Sequence, residues 1–394
     1  MQINFSTAKL LVALLFLSGT LLHSGESLSN AGFIPPLFLI QAGQFYVYAF
    51  YAVAVAAFFI KKSNYSLNLA QGSYNYVGLG YVTLFLITIT YLEDIGRYFL
   101  LAITTLLVPN AVKIFFGQGK LKIYTDGLVL GALIYVLSSL AIGLFNFNPD
   151  GRFSGYMSNP NAFALSTTTC LLILLYFLDR GAIFKSLAVA ICLYLIYISG
   201  SRASTYGSLL AVAVWLWFQL KSKFSPVALL AIILIIFTPT IIALTWLEIE
   251  DLGRAFQTKE VFSDSGRDII YAQAIDLISR NQLTGYGMSA HEDLLGTGNV
   301  HSSYLRIFFM VGLPAGIIFF TLYFIGLFRA YLNSPQRGIW RPYALILPLL
   351  LIGEDYIVGV GSFYFLSFLL ILSIELVERS SNNSFLNDQK YKHN

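Results

Sequence analysis

The sequence predicts an all-α integral membrane protein of about twelve transmembrane helices, with one long outer loop that contains an amphipathic helix. Three observations carry this. Hydrophobic residues make up 57% of the chain and charged residues only 11%, whereas soluble domains carry about a quarter charged residues. Apolar runs near the roughly 20 residues needed to cross a bilayer recur along the 394 residues. The polar stretch from Glu248 to Ser302, 55 residues long, interrupts them once. A water-soluble globular protein is excluded.

In chain order the candidate spans lie near 8–22, 34–60, 76–92, 95–116, 124–147 and 160–178, then 183–199, 204–220, 225–247, 303–328, 343–356 and 358–377. Each is expected to be helical, because backbone exposed to lipid must satisfy its hydrogen bonds within its own segment. The first has Lys9 as its only basic residue and no clear small-x-small cleavage site before His23, so it reads as an anchor rather than a signal peptide. The fourth has Glu93 and Asp94 before it and Pro109 inside it, and Glu354 and Asp355 separate the last two. The whole chain, 1–394, reads as a single polytopic domain, with 248–302 as its large outer loop and 380–394 as a polar tail.

Charge sets the orientation. With the N-terminus in the cytoplasm, 16 of the 24 Lys and Arg residues fall inside, including all those at 113–122 and at 329–341. That is the asymmetry the positive-inside rule requires, and both termini are then cytoplasmic. The net charge is +4 and the bases are scattered, which argues against nucleic acid as a partner. Cys170 and Cys192 both sit in apolar runs and show neither a disulfide framework nor a metal or redox pair.

Seven of the eight outer bases are arginines: Arg97, Arg152, Arg202, Arg254, Arg267, Arg280 and Arg306, with Lys259 the exception. Arginine offers a fixed fork of donors suited to phosphate and stays charged in poorly hydrated places. Ion pairing is the plainer reading, since 248–302 holds nine acids against four bases. Arg202 stands apart in Ser199-Gly200-Ser201-Arg202-Ala203-Ser204, where one span ends and the next begins among small residues. A membrane-edge Arg in such a setting suits an anion site, against the alternative of snorkelling to lipid phosphate.

Ser265-Gly266-Arg267-Asp268 reads as a capping box, with Ser265 as N-cap and Asp268 at N3. Ile269, Ile270, Gln273, Ala274, Leu277 and Ile278 follow at helical spacing, so an amphipathic helix of roughly four turns is expected on the membrane surface. A cation in its first turn opposes the helix dipole. Arg267 therefore fits either a diphosphate cradle or a local pair with Asp264 or Asp268.

His301 lies in Asn299-Val300-His301-Ser302-Ser303-Tyr304-Leu305 at the start of a span, where an imidazole can act as a base while a neighbour holds its second nitrogen. His291, beside Glu292 and Asp293, reads as a solvated loop residue. No zinc site and no cofactor is expected, because the two loop histidines are ten residues apart and no cysteine reaches the loop. In Asn159-Pro160-Asn161, Asn159 suits a helix cap with Pro160 in the first turn, and Arg152 lies nearby on the outer side.

Four segments together resemble the O-antigen polymerase and ligase superfamily of membrane glycosyltransferases. Gly155 to Asn161 resembles its Gly…Asn-Pro-Asn, and Ser199 to Ala203 its Ser-Arg-small turn. Ser265 to Gly287 resembles Ser-Gly-Arg…Asn-Pro-Leu-x-Gly-x-Gly, and His301 to Gly316 resembles His-Asn-x-Tyr-Leu…Gly. The family's Asn after His is Ser302 here, and its Asn-Pro-Leu is Asn281-Gln282-Leu283.

The resemblance implies transfer of a glycan from an undecaprenyl diphosphate carrier to an acceptor hydroxyl at the periplasmic face of a bacterial inner membrane. It implies Arg202 and Arg267 as the groups that bind the diphosphate and stabilise the leaving charge, with His301 positioning or deprotonating the acceptor. Arg152, Asn161, Arg254 and Tyr304 are expected at the substrate. Tyr271 and Tyr286 suit either sugar stacking or the membrane interface, as does Tyr304. Implied partners are the lipid-linked oligosaccharide, a glycan or lipid A core acceptor, a chain-length regulator and a flippase.

Polymerisation of O-antigen or exopolysaccharide repeat units is preferred to ligation onto lipid A core, because the spacing ending at Gly312 matches the ligase branch incompletely at Ala315. A flippase or sugar transporter is the alternative of a different class. It would show similar halves and charges at midplane, whereas here the halves look dissimilar and charges sit at span ends.

Overall fold

The structure is a computed structural model and describes residues 7–17, 73–88, 95–116, 120–143, 152–155, 157, 159–221, 223–225, 267–287, 290–296, 300–333, 338–355, 357 and 363–392. The described residues form an all-helical bundle. In chain order the helices are α1 (Thr7–Leu17), α2 (Ser73–Thr88), α3 (Ile95–Phe116), α4 (Leu121–Gly143), α5 (Pro160–Phe177), α6 (Ala182–Ile198), α7 (Arg202–Leu220), α8 (Arg267–Arg280), α9 (Ala290–Leu295), α10 (Ser303–Asn333), α11 (Trp340–Gly353) and α12 (Phe363–Lys392).

Among the described residues five segments are long and apolar enough to cross a membrane: Tyr98–Phe116, Leu121–Ala141, Pro160–Phe177, Arg202–Leu220 and Ser303–Leu332. Thr7–Leu17, Ala182–Ile198 and Trp340–Gly353 are shorter apolar helices. The expected span 34–60, all but the first residue of 225–247, Arg254, and the cap at Ser265 lie outside the described residues. Pro109 does not break α3, which runs unbroken from Ile95 to Phe116. The stretch expected as a polar tail continues α12 as helix to Lys392.

Helix α12 forms the centre, with every residue from Tyr364 to Glu378 buried. It packs on α3, α4, α5 and α2, while α2 lies along α10 and α11 lies along α7. In lipid, association depends on close van der Waals packing, so small residues mark the contacts. On α4, a β-carbon at Gly127 would lie 2.6 Å from Val12 Cβ, and one at Gly131 would lie 2.9 Å from Phe16 Cδ1. These two glycines, four apart, seat α1 against α4, and Lys9 pairs with Asp126 beside them. Cys170 and Cys192 are both fully buried between α5 and α6.

One end of the bundle gathers the segments singled out in the sequence: the starts of α5, α7, α8 and α10 and the ends of α6 and α11. The other end gathers bases that the charge reading assigned to the cytoplasm. There Lys122 pairs with Asp179 at 3.4 Å. Arg341 lies over the Phe218 ring at 3.9 Å, and Arg329 over that of Tyr76 at 4.5 Å.

Candidate active site

Asn159 caps α5 as its sequence suggested: it has extended backbone and its Oδ1 accepts from Asn161 N at 2.8 Å, with Pro160 at the first helical position. The cap turns the buried Asn161 side chain toward Arg152. Arg152 Nη2 donates to Asn161 Oδ1 at 2.7 Å, and Arg152 Nε donates to the Ser199 carbonyl at 2.8 Å. Phe153 N also bonds Ile198 O, at 3.2 Å. Gly200 has φ +65°, and a β-carbon there would lie 3.0 Å from Arg152 Nε. The turn before Arg202 must therefore carry glycine, both for its backbone and for the approach of the guanidinium. Arg152 and Asn161, expected at the substrate, hold one another and the turn that launches α7.

Arg202 is the first residue of α7, with Ser201 as N-cap. Backbone N–H groups of a first turn lack partners within the helix and favour anions, so the cation and the helix end attract the same kind of ligand. The next residue, Ala203, leads to the second cluster: a β-carbon on Gly353 would lie 3.5 Å from Ala203 Cβ and 4.0 Å from Arg267 Nη1. The Arg202 turn and Arg267 thus meet at the end of α11.

Arg267 looked misplaced at the start of a helix. Its Nη1 donates to Gly353 O at 3.1 Å, so the guanidinium caps the carbonyl end of α11, the negative end of that helix's dipole. A guanidinium has five N–H donors. Among the described residues Arg267 spends one of them.

The end of α11 also binds the His301 segment. Ser303 N and Oγ both donate to Glu354 O, at 3.0 and 2.8 Å. Arg306, one turn into α10, pairs with Asp355, whose side chain is 1% exposed. Ser302 Oγ accepts from Leu305 N at 3.5 Å and so caps α10. His301 has φ +56° and is the one non-glycine with positive φ among the described residues. Its carbonyl accepts from Tyr271 Oη at 3.0 Å.

Helix α8 packs one face on α10. Its inward face is Ile270, Tyr271, Ala274, Leu277 and Ile278, while Ile269 and Gln273, expected on that face, are exposed. The following loop is locked into a break in α10 at Gly312 (φ +78°, ψ 172°). Pro314 has no N–H to give Met310 O, and Leu313 N donates to Gln282 O at 2.7 Å instead of to Phe309 O. The two freed carbonyls accept from Tyr286 N and Gly287 N, each at 2.9 Å. Within the loop, Thr284 Oγ1 donates to Asn281 Oδ1 at 2.9 Å. This exchange fixes α8, and with it Arg267 and Tyr271, against the helix that begins beside His301.

Tyr304, expected at the substrate, and Tyr286, open to sugar stacking or the membrane interface, both make contacts within the protein. Tyr304 Oη donates to Pro348 O at 3.2 Å and its ring packs on Phe320 at 4.7 Å, so it faces into the bundle. Tyr286 stacks on Phe309 at 5.1 Å and donates to Leu277 O at 3.1 Å. The sequence reading missed Gly353, Glu354 and Asp355 as part of this cluster. Their signal was two acids between apolar runs, a costly placement unless the acids are paired or used.

Residues 187–320 match a family model described as O-antigen ligase, a range that contains Arg202, Arg267 and His301 but neither Arg152 nor the 353–355 segment. No curated protein matches the chain.

Proposed function

We propose that this chain is a membrane glycan-transfer enzyme of the O-antigen polymerase and ligase superfamily, a reading supported by the family-model match over residues 187–320. The donor is a glycan on undecaprenyl diphosphate, and the reaction takes place at the outer face of the bacterial inner membrane, with both termini cytoplasmic. The observation that carries this reading is the convergence of Arg267, the α7 start at Arg202 and the His301 turn on the end of α11.

The acceptor hydroxyl oxygen attacks the anomeric carbon of the donor sugar. The bond from that carbon to the diphosphate oxygen breaks, and the electron pair leaves with the carrier diphosphate. Arg202 and Arg267 stabilise the charge that grows on the leaving group, and the α7 N-terminus adds backbone donors. His301 accepts the proton that the acceptor hydroxyl loses. Arg254, in the outer loop, is a further substrate-binding residue in this reading.

The favoured acceptor is a second lipid-linked repeat unit, which makes the protein a polymerase. The description of the matched family favours a second reading, ligation onto lipid A core. Product analysis separates them. Purified protein in nanodiscs is incubated with its undecaprenyl diphosphate repeat unit, with and without lipid A core. A glycan ladder from the donor alone establishes polymerisation, whereas product only with core establishes ligation. No transfer under either condition removes the enzyme reading and favours transport.

A further inference from the structure

Tyr271 lies one helical turn after Arg267 on α8, so the two side chains share a face. Both grip the same place. Arg267 Nη1 donates to Gly353 O at 3.1 Å, while Tyr271 Oη lies 3.0 Å from His301 O and 3.5 Å from Ile352 O. The hydroxyl has one proton, and the shorter contact takes it.

His301 needs such a tie. Its φ of +56° is the left-handed region, which disfavours residues with a β-carbon and persists only where the surroundings over-determine it. On the C-terminal side, Ser303 is fixed twice to Glu354 O and Ser302 caps α10. On the N-terminal side, Val300 is fully buried. The His301 carbonyl is held by the helix that also carries Arg267.

We infer that the Tyr271 hydroxyl is a positioning group: by holding the His301 carbonyl it sets the direction of the imidazole relative to Arg267. Tyr271 acts through His301 and does not touch the substrate. This rests on the proposed role of His301 as the base for glycan transfer.

The test uses the full chain in nanodiscs with the lipid-linked donor, comparing Tyr271→Phe, His301→Asn and the unaltered protein. Asparagine tolerates the left-handed backbone, so His301→Asn removes the imidazole without straining the turn. Tyr271→Phe is expected to lower kcat ~10-fold, in keeping with a small misplacement of a reacting group, with donor KM and the yield of folded protein unchanged. Wild-type kcat in Tyr271→Phe, beside an inactive His301→Asn, overturns the positioning role and leaves the reaction standing. A raised donor KM would show that Tyr271 contacts substrate, and a lower yield at full kcat per folded molecule would show a purely structural tyrosine; either overturns the inference. Wild-type kcat in His301→Asn removes the base assignment itself, and the positioning role with it.

Discussion

Gly285 and Gly312 sit backbone against backbone: a β-carbon on Gly285 would lie 2.6 Å from Gly312 N, and one on Gly312 would lie 2.6 Å from Leu283 O. Both have positive φ, +66° and +78°. The contact joins the loop after α8 to the break in α10, and it brings a helix starting with Arg267 alongside a helix starting next to His301.

Alanine at either glycine is therefore expected to lower stability strongly. The left-handed backbone alone costs about 1–2 kcal/mol for a residue with a β-carbon, and the backbone atoms 2.6 Å away cannot rotate aside. Gly296, with φ +62° and nothing within 4 Å of its β-carbon position, is the control and should show only the backbone cost. Thermal unfolding in detergent, followed by size-exclusion chromatography, ranks the three variants.

Arg152 and Asn161 should behave as one unit. Asn161→Leu removes the acceptor for Nη2, and Arg152→Ala removes the donor, so each loosens the Ser199–Arg202 turn. The expected outcome is a rise in donor KM that is no larger in the double variant than in either single one. Asn161→Asp keeps an acceptor oxygen and should retain most activity. Additive losses would mean that the two side chains act separately.

The Arg306–Asp355 pair ties α10 to the end of α11, with side chains 16% and 1% exposed. Removing one partner leaves a buried charge without its counterpart, a loss of ~3–5 kcal/mol. Asp355→Ala and Arg306→Ala should both give little folded protein. The double variant Arg306→Met with Asp355→Leu should recover part of the yield, measured as monodisperse protein after extraction.

Arg267→Lys tests the fork rather than the charge. Lysine can still reach a carbonyl at the end of α11, but it cannot offer a planar pair of donors to a diphosphate. Folded yield should match the unaltered protein, and donor KM should rise ~10-fold, the scale of losing about one charge-assisted hydrogen bond. Titration of turnover against donor concentration reads the difference.

The helices were legible where local signals suffice. The apolar runs at 95–116, 160–178 and 183–199 became α3, α5 and α6 with ends within one residue, because bilayer-length hydrophobicity is written locally. The cap at Asn159 was equally local. The sequence shows Arg267 opposing its own helix, but the helix end it caps lies 86 residues further on. Nothing in its neighbourhood pointed to Gly353. The break in α10 was hidden for the same reason: Pro314 announced a lost hydrogen bond, while the donors that replace it come from Tyr286 and Gly287. Ser302, where the resembled motif has Asn, changes little structurally, since both are good N-cap residues and Ser302 caps α10.

Glycan transfer as proposed depends most on His301 as the base beside a diphosphate site. Its most direct test is single-turnover transfer from the lipid-linked donor, with donor affinity measured in parallel, in His301→Asn and in the unaltered protein. His301→Asn is expected to bind donor normally and to transfer glycan at least ~100-fold more slowly, the usual contribution of a positioned general base. Transfer at the unaltered rate by well-folded His301→Asn would contradict it.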